Sequence, residues 1–509
     1  MKLLRRISQL LFLLFFILLF LQTRYPLETG IPVDLFFHTS PLISLTTMIA
    51  SRSVLVTALP GLIFLLLAIP LGRFFCGWIC PLGTTIDIND RLLGQKKRRR
   101  KERDSVVFRS VKFFILVVIV VAALLSLQLT WFFDPIVILT RVVTLVIYPA
   151  FVFLVNSVFD FAFTTGAMEE QVYSAYNFLQ KTVMPVGRPE FLSSIPVVLF
   201  FAAILLPGLI SKRFWCRNLC PLGALLGLFS RYRLIKRYVS SSCTKCGKCQ
   251  SGCKMNAIED DYTINNTVEC IECADCVSVC KPHAVSYKFG KNRGSNDIDF
   301  SRRRLLQAGF TGLASVALLK TASGEDTKSA AVIRPPGAVD EKNFLDRCVR
   351  CQECVRVCST TGGCLQPAVF EAGWEGIWSP ISVPAMGYCE FNCILCSKVC
   401  PTGAIVELAL EEKQKFKMGT AHFDKTRCIP WYSQEDCLVC EEHCPVPDKA
   451  IKFDLHDARG LDGTMRTVKF PWVNEELCIG CGICENKCPL VGKKGIFVTS
   501  SNNTRITAK

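Results

Sequence analysis

A chain of 509 residues is long enough for about three domains. Half of it is hydrophobic and its formal net charge is +16, a mixture that argues against a purely soluble protein. The densest basic runs abut apolar segments, which argues against a nucleic-acid surface as the reason for the charge. The hydrophobic excess lies before Arg231, whereas 25 of the 29 cysteines lie after it. A membrane half is therefore joined to a metal half. The cysteines form regular quartets in a long chain and read as metal ligands before disulfides.

The membrane half opens with Lys2, Arg5 and Arg6 ahead of the apolar run 7–21, which is short for a span but workable with its flanks. The competing reading is a signal peptide, but no small-residue cleavage site follows. Further spans are expected at 54–71, broken by Pro60 and Gly61, at 111–129 and at 195–210. The basic residues 2–6, the block KKRRRKER at 96–103, and Arg231, Arg233, Lys236 and Arg237 then fall on one side. That side is cytoplasmic by the positive-inside rule. The run 136–163 is apolar too, but it holds Arg141 and Pro149. If it crossed, the basic residues after the last span would be stranded outside, so it is expected along the outer interface or as a re-entrant element.

A weak internal repeat supports four spans in two tandem units. RFFCGWICPLGT from Arg73 matches RFWCRNLCPLGA from Arg213, and DLFFHTSPLISLTT from Asp34 echoes WFFDPIVILT from Trp131. A two-span unit repeated in tandem returns to the same face, so Cys76, Cys80, Cys216 and Cys220 are expected to meet near the cytoplasmic surface. They are either buried, inert sulfurs at structural turns or four thiolates converging on one further cluster or metal. The polar groups expected at membrane depth on the outer side are Asp34, His38, Asp134 and Arg141. They are candidates for a quinone site or, on the plainer reading, helix caps and snorkelling charge.

After the last span come Cys243, Cys246, Cys249 and Cys253, in the spacing C-x2-C-x2-C-x3-C, then Cys270, Cys273, Cys276 and Cys280. Three closely spaced thiolates grip one corner of a 4Fe-4S cube, and the fourth cysteine of the run ligates the other cluster of a pair. Crossed pairing gives one cluster Cys243, Cys246, Cys249 and Cys280, and the other Cys270, Cys273, Cys276 and Cys253. Zinc sites use separated pairs instead. Lys254 stands where a proline often follows the fourth cysteine, and Pro282 is displaced after Cys280.

Residues 291–296 read as a linker. SRRRLLQAGFTGLASVALLK at 301–320 has the pattern of a twin-arginine export signal inside the chain. Its competitor is a basic linker with an amphipathic helix. As a signal or anchor it would put the chain beyond Glu325 outside the cytoplasm. The distal quartets are Cys348, Cys351, Cys354 and Cys358; Cys389, Cys393, Cys396 and Cys400; Cys428, Cys437, Cys440 and Cys444; and Cys478, Cys481, Cys484 and Cys488. Pro401, Pro445 and Pro489 follow three of them. Neighbouring quartets could exchange fourth cysteines, or the first could pair with the last and the middle two together. Cys364 is left over and reads as a small buried residue.

The expected fold is thus an α-helical membrane domain (1–240), an α+β two-cluster ferredoxin (241–290), a linker with the internal signal or anchor (291–340) and a four-cluster polyferredoxin (341–509). The membrane half with its CGWICPLG and CRNLCPLG motifs resembles the NapH, NosR and RdxA type of membrane polyferredoxin. The part from Ser301 onward resembles the NapG and MauM type of exported ferredoxin. NosR-type proteins also carry an outer flavin-binding domain, and nothing of that length precedes the first repeat here. The resemblance implies a fusion of two partners that act together as a quinol dehydrogenase feeding periplasmic reductases. The expectation is therefore an electron-transfer protein of the bacterial inner membrane with six 4Fe-4S clusters. It would take electrons from the quinone pool or a cytoplasmic donor and give them to a periplasmic reductase or cytochrome. The alternative is a metal (copper) reductase or maturation factor for a respiratory enzyme.

Overall fold

The computed structural model describes residues 2–27, 30–93, 106–165, 169–185, 189–290, 301–321, 332–460 and 463–507. The basic block at 96–103 and the linker at 291–296 lie outside the described residues. The chain divides into two compact units: Met1–Gln22, Thr29–Val143 and Ile195–Leu318 form the first, and Thr23–Glu28, Thr144–Ser194 and Leu319–Lys509 the second.

The first unit is a helical body with a small ferredoxin on it. Two helices among the described residues are long and apolar enough to cross a membrane, Lys2–Gln22 and Pro135–Thr164. The second of these is the run expected to lie on the outer side. Its helical path includes a π-helical stretch at Val143–Ile147, and the division between units falls inside it. The other three expected spans are helices as well. Leu59–Leu71 stops where Gly72 takes a left-handed φ of 68°, Val106–Leu124 carries Arg109 and Lys112 near its start, and Ser194–Leu205 runs into a 3-10 turn containing Pro207. The helix Arg302–Thr321 of the twin-arginine segment packs on Val106–Leu124. A Cβ added at Gly312 would lie 2.9 Å from Val121, so the absence of a side chain there lets the helices approach.

The two Cys-Pro repeats fold alike. Each is a short helix (Phe74–Trp78, Phe214–Asn218) followed by a cysteine that caps the next helix (Pro81–Leu92, Pro221–Ser230). Proline fits the first helical position because its missing N–H has no partner there in any case. Cys80 Sγ accepts from Gly83 N at 3.4 Å and Cys220 Sγ from Gly223 N at 3.4 Å, so a sulfur does the work of the usual serine cap.

Arginines clamp the repeats to each other. Arg213 donates to Cys76 O (3.1 Å) and Gly83 O (3.2 Å) of the first repeat. The Arg73 guanidinium passes so close to Gly223 of the second that an added Cβ would stand 2.5 Å from it. Arg73 Nη1 donates to Val268 O at 2.9 Å, so this arginine passes the second repeat on its way to the ferredoxin.

The ferredoxin pairs strand Ile235–Val239 antiparallel with Val285–Phe289 and is tied to the helical body by buried ion pairs. Glu269 meets Lys112 at 2.5 Å and Arg73 at 3.4 Å, Asp275 meets Arg5 at 3.3 Å, and Asp87 meets Arg213 and Lys254, each at 2.8 Å. Burial alone would raise the Asp87 carboxyl, but Arg213 and Lys254 hold it well below the usual carboxylate range. Gly77 touches the ferredoxin backbone, since an added Cβ would lie 2.2 Å from Ile271 O, and Trp78 Nε1 donates to Glu272 O at 3.0 Å.

The second unit holds the distal quartets on short helices and two-stranded ribbons. The strands pair as Leu365–Pro367 with Pro380–Ser382, Thr420–Phe423 with Ile496–Thr499, and Ile451–Arg459 with Met465–Val473. Segments from the first half of the chain join it. Tyr25 N donates to Thr360 Oγ1 at 3.0 Å, Gln366 Nε2 to Glu190 O at 3.1 Å, and the Arg356 guanidinium lies 3.9 Å from the centre of the Tyr148 ring.

Removing one partner of a buried ion pair costs about 3–5 kcal/mol because the other charge is left unpaired. Asp87→Asn is expected to lower the unfolding midpoint of the purified full chain by several degrees and to expose the Lys254 region to trypsin. An unchanged midpoint and digest would count against the clamp.

Candidate iron-sulfur sites

Each distal cavity draws its sulfurs from two quartets. One is lined by Cys348, Cys351, Cys354 and Cys400. A second is lined by Cys389, Cys393, Cys396 and Cys358. A third is lined by Cys428, Cys437, Cys440 and Cys488. The remaining thiols, Cys478, Cys481, Cys484 and Cys444, face one another around the hydrophobic cluster that contains Ile451 and Ile496. Of the pairings the sequence left open, the structure selects exchange between neighbours: first quartet with second, third with fourth.

The local folding explains why the fourth cysteine leaves. Gln352, and likewise Gly482 in the last quartet, takes a left-handed φ at the N-cap of a short helix, which turns the first three sulfurs inward. The helix then carries the fourth sulfur away, Cys358 at the end of Glu353–Cys358 and Cys488 after Ile483–Lys487. The two pairs also touch each other, because Cys389 N donates to Cys481 O at 2.8 Å.

In the ferredoxin of the first unit Cys253 lies with Cys273 and Cys276 of the other quartet, and Cys280 packs in a cluster that holds Cys249, Cys276 and Cys253 together. Arg237 Nη2 donates to Cys249 Sγ at 3.6 Å. The four thiols of the Cys-Pro repeats are brought together as well. Cys80 interacts with Cys76 and Cys216, and Cys220 with Cys216, Cys76 and Cys80. Cys76 and Cys216 pack against the same apolar residues as Cys253, Cys270 and Cys273.

The four polar residues proposed for a quinone each have partners of their own. His38 Nε2 and Asp34 Oδ2 pair at 2.9 Å. Asp134 caps the helix Pro135–Val142 by accepting from Ile136 N (2.9 Å) and Val137 N (3.2 Å), and Ser40 Oγ donates to it at 2.7 Å. Arg141 Nη2 donates to Trp131 O at 2.8 Å. Asp134 thus does the capping work that was the plainer reading for it.

Cys364 is the residue the sequence undervalued. It is buried, but it also lines the cavity of the Cys389 set, and its sulfur is 3.9 Å from Cys358 Sγ. Its spacing from Cys358 matched no quartet, so the sequence offered no sign of this.

The donor set fits a 4Fe-4S cluster. Burial pushes the thiols of Cys428, Cys440 and Cys481 up to about 12, with backbone N–H groups acting against it and the charges of neighbouring sulfurs adding to it. Four such groups become thiolates together only around a cationic core. No group of three or more His, Cys, Asp or Glu side chains among the described residues closes around a position for a single metal ion.

Cavities built by crossed thiol quartets define an iron-sulfur protein of ferredoxin type. Residues 54–101 and 194–239 match one family described as a 4Fe-4S binding domain, and residues 471–490 match a second family of the same description. The methylamine utilization ferredoxin-type protein MauM of Methylorubrum extorquens is 34% identical over 200 residues, 37% of this chain and 85% of the relative. The ferredoxin-type protein NapG of Escherichia coli is 34% identical over 186 residues, 35% of this chain and 76% of the relative. The ferredoxin-type protein NapF of the same organism is 27% identical over 173 residues, 33% of this chain and 87% of the relative. The chain belongs to the MauM and NapG family of ferredoxin-type proteins. No solved structure matches it.

Crossed ligation makes a non-additive prediction for iron content. If Cys428 and Cys488 serve one cluster, Cys428→Ser, Cys488→Ser and the double variant each lose about four irons. Cys478→Ser combined with Cys488→Ser loses about eight. Equal losses from both double variants would contradict the crossing.

Proposed function

We propose that the chain is a membrane-bound electron-transfer protein. It takes electrons from quinol or a cytoplasmic donor and passes them to a reductase or cytochrome outside a bacterial inner membrane. The observation that carries this reading is the serial order of the distal thiol sets. The Cys348 set shares a crossed pair with the Cys389 set, which meets the Cys478 set through the Cys389–Cys481 hydrogen bond, and that set shares a crossed pair with the Cys428 set.

The ligands are then the 24 cysteines of the six quartets. Cys243, Cys246, Cys249 and Cys280 hold one cluster of the cytoplasmic pair, and Cys270, Cys273, Cys276 and Cys253 the other. A 4Fe-4S cluster supplies a one-electron couple whose potential follows solvent exposure and hydrogen bonds to sulfur. The chain's own residues set those conditions: Arg237 donates to the Cys249 sulfur, and half of the distal quartet cysteines are buried while the others are partly exposed.

Membrane attachment is supported by the apolar side chains left exposed on several helices, among them Leu10, Leu14, Ile63, Leu66, Ile195 and Leu199. Sidedness has a separate support. Thr23–Glu28 and Thr144–Ser194, which belong to the distal unit, follow the first expected span and precede the fourth, so in a four-span topology both are outer. The polyferredoxin that packs on them is then outside, as the twin-arginine pattern requires. For a quinone, the His38–Asp34 pair is the better of the four outer candidates, because Asp134 is engaged as a cap.

A second reading has its own observation. Cys76, Cys80, Cys216 and Cys220 converge beside the Cys270 site, where they could hold a seventh cluster or a metal ion, such as copper, to be reduced. Cys76→Ser with Cys216→Ser is expected to lower iron and sulfide together. Unchanged content would remove the seventh cluster and leave a transient metal ion as the alternative. In proteoliposomes menaquinol is expected to bleach the iron-sulfur absorbance. Bleaching by dithionite alone would assign the donor role to a soluble protein.

A further inference from the structure

The cavity lined by Cys389, Cys393, Cys396 and Cys358 differs from the other two measured distal cavities in holding a fifth sulfur, that of Cys364. Four ligands complete a cube, so one of the five has another task. Position in the quartet decides which. Cys358 is the last cysteine of its quartet, the position that Cys400 and Cys488 fill in the other two cavities, so Cys358 is the ligand and Cys364 the extra sulfur. Cys364 is 2% exposed and lies 3.9 Å from that sulfur, within reach of an S–H hydrogen bond.

The chain around this position is also held on several sides. Residues on either side of Cys358 and Cys364 are the ones that meet the segments contributed by the first half of the chain: Arg356 on Tyr148, Thr360 at Tyr25 and Gln366 at Glu190.

We propose that Cys364 is a positioning thiol of this site. It donates a hydrogen bond to the Cys358 ligand sulfur and so raises the potential of this one cluster relative to its neighbours. The physical reason is electrostatic. Reduction adds negative charge to the cluster and its sulfurs, and a donor aimed at one of those sulfurs stabilises the reduced form more than the oxidised form. The inference rests on the electron-transfer reading above.

The test uses the full chain purified anaerobically, with iron and sulfide analysis and a redox titration followed by electron paramagnetic resonance. Wild-type protein without cluster signals would sink the electron-transfer reading itself. With clusters present, Cys364→Ala is expected to keep the full iron count and to move a single centre to lower potential. Cys364→Ser, which restores a donor, is expected to move that centre back toward wild type. Full iron with no centre displaced in Cys364→Ala would overturn the proposal. So would loss of one cluster's iron in Cys364→Ala with full retention in Cys358→Ser, which would make Cys364 the ligand instead.

Discussion

Everything in the distal half depends on one constraint: a void that four sulfurs must close is never closed by one stretch of chain. Three sulfurs come from a loop and the fourth from its neighbour's helix end, so neither site of a pair can form without the other. Cys400 completes the Cys348 set while Cys358 completes the Cys389 set. The exchange locks two segments together and fixes the separation of the two centres. With so many sulfurs turned inward, little room is left for an ordinary apolar core. The main hydrophobic cluster of this half counts Cys440, Cys478 and Cys484 among its members, so burying the ligands and building the core are one process.

The first unit solves a different problem, which is to hold a small ferredoxin against a helical body without a large apolar interface. It uses charge. Glu269, Asp275 and Asp87 are each met by cations from segments far away in sequence. Desolvating a charge is expensive, and such pairs persist only when geometry and extra hydrogen bonds repay it. Asp87 meets that condition: Gln9 Nε2 donates to it at 3.1 Å, and Arg213 donates through both Nε and Nη2. Because each carboxylate has several partners, the ferredoxin has one orientation rather than many. That orientation keeps Ile271 against Gly77 and so sets the Cys270 thiols beside those of the Cys-Pro repeats.

The sequence made the quartets legible because cluster ligation imposes a spacing that few other functions share. The repeat was legible as well, and so was the meeting of Cys76, Cys80, Cys216 and Cys220, since two copies of one motif fold alike. The choice among pairings was hidden, because nothing in the linear order of Cys348 to Cys488 says which loop crosses which. Span lengths were hidden for another reason. Hydropathy marks where apolar residues lie, but Gly72 and Pro207 decide where a helix stops, and Pro135–Thr164 continues as a helix in spite of Pro149 because that proline sits at the start of its segment Tyr148–Thr164. The reciprocal arginine clamp was also out of reach. Arg73 and Arg213 stand at the head of each motif, and only folding reveals that Arg213 bonds the first repeat while Arg73 passes Gly223 of the second.

A departure from pattern in the first distal quartet explains why the extra sulfur arises there. Pro401, Pro445 and Pro489 follow the last cysteines of the other distal quartets, but Ser359 follows Cys358. A proline has no N–H to give and ends the preceding helix. Ser359 instead donates to Val355 O at 3.0 Å, and Gly363 N returns to Cys358 O at 2.9 Å. The chain therefore closes a tight loop over residues 359–363 instead of running on. Gly363 takes a left-handed φ of 69°, and Gly362 lies so near Tyr388 that an added Cβ would be 1.9 Å from its carbonyl oxygen. Both glycines are needed for the loop to turn within the space available, and its closure leads directly to Cys364. The exchange of one proline for a hydrogen-bonding residue thus accounts in physical terms for a fifth sulfur at a four-ligand site.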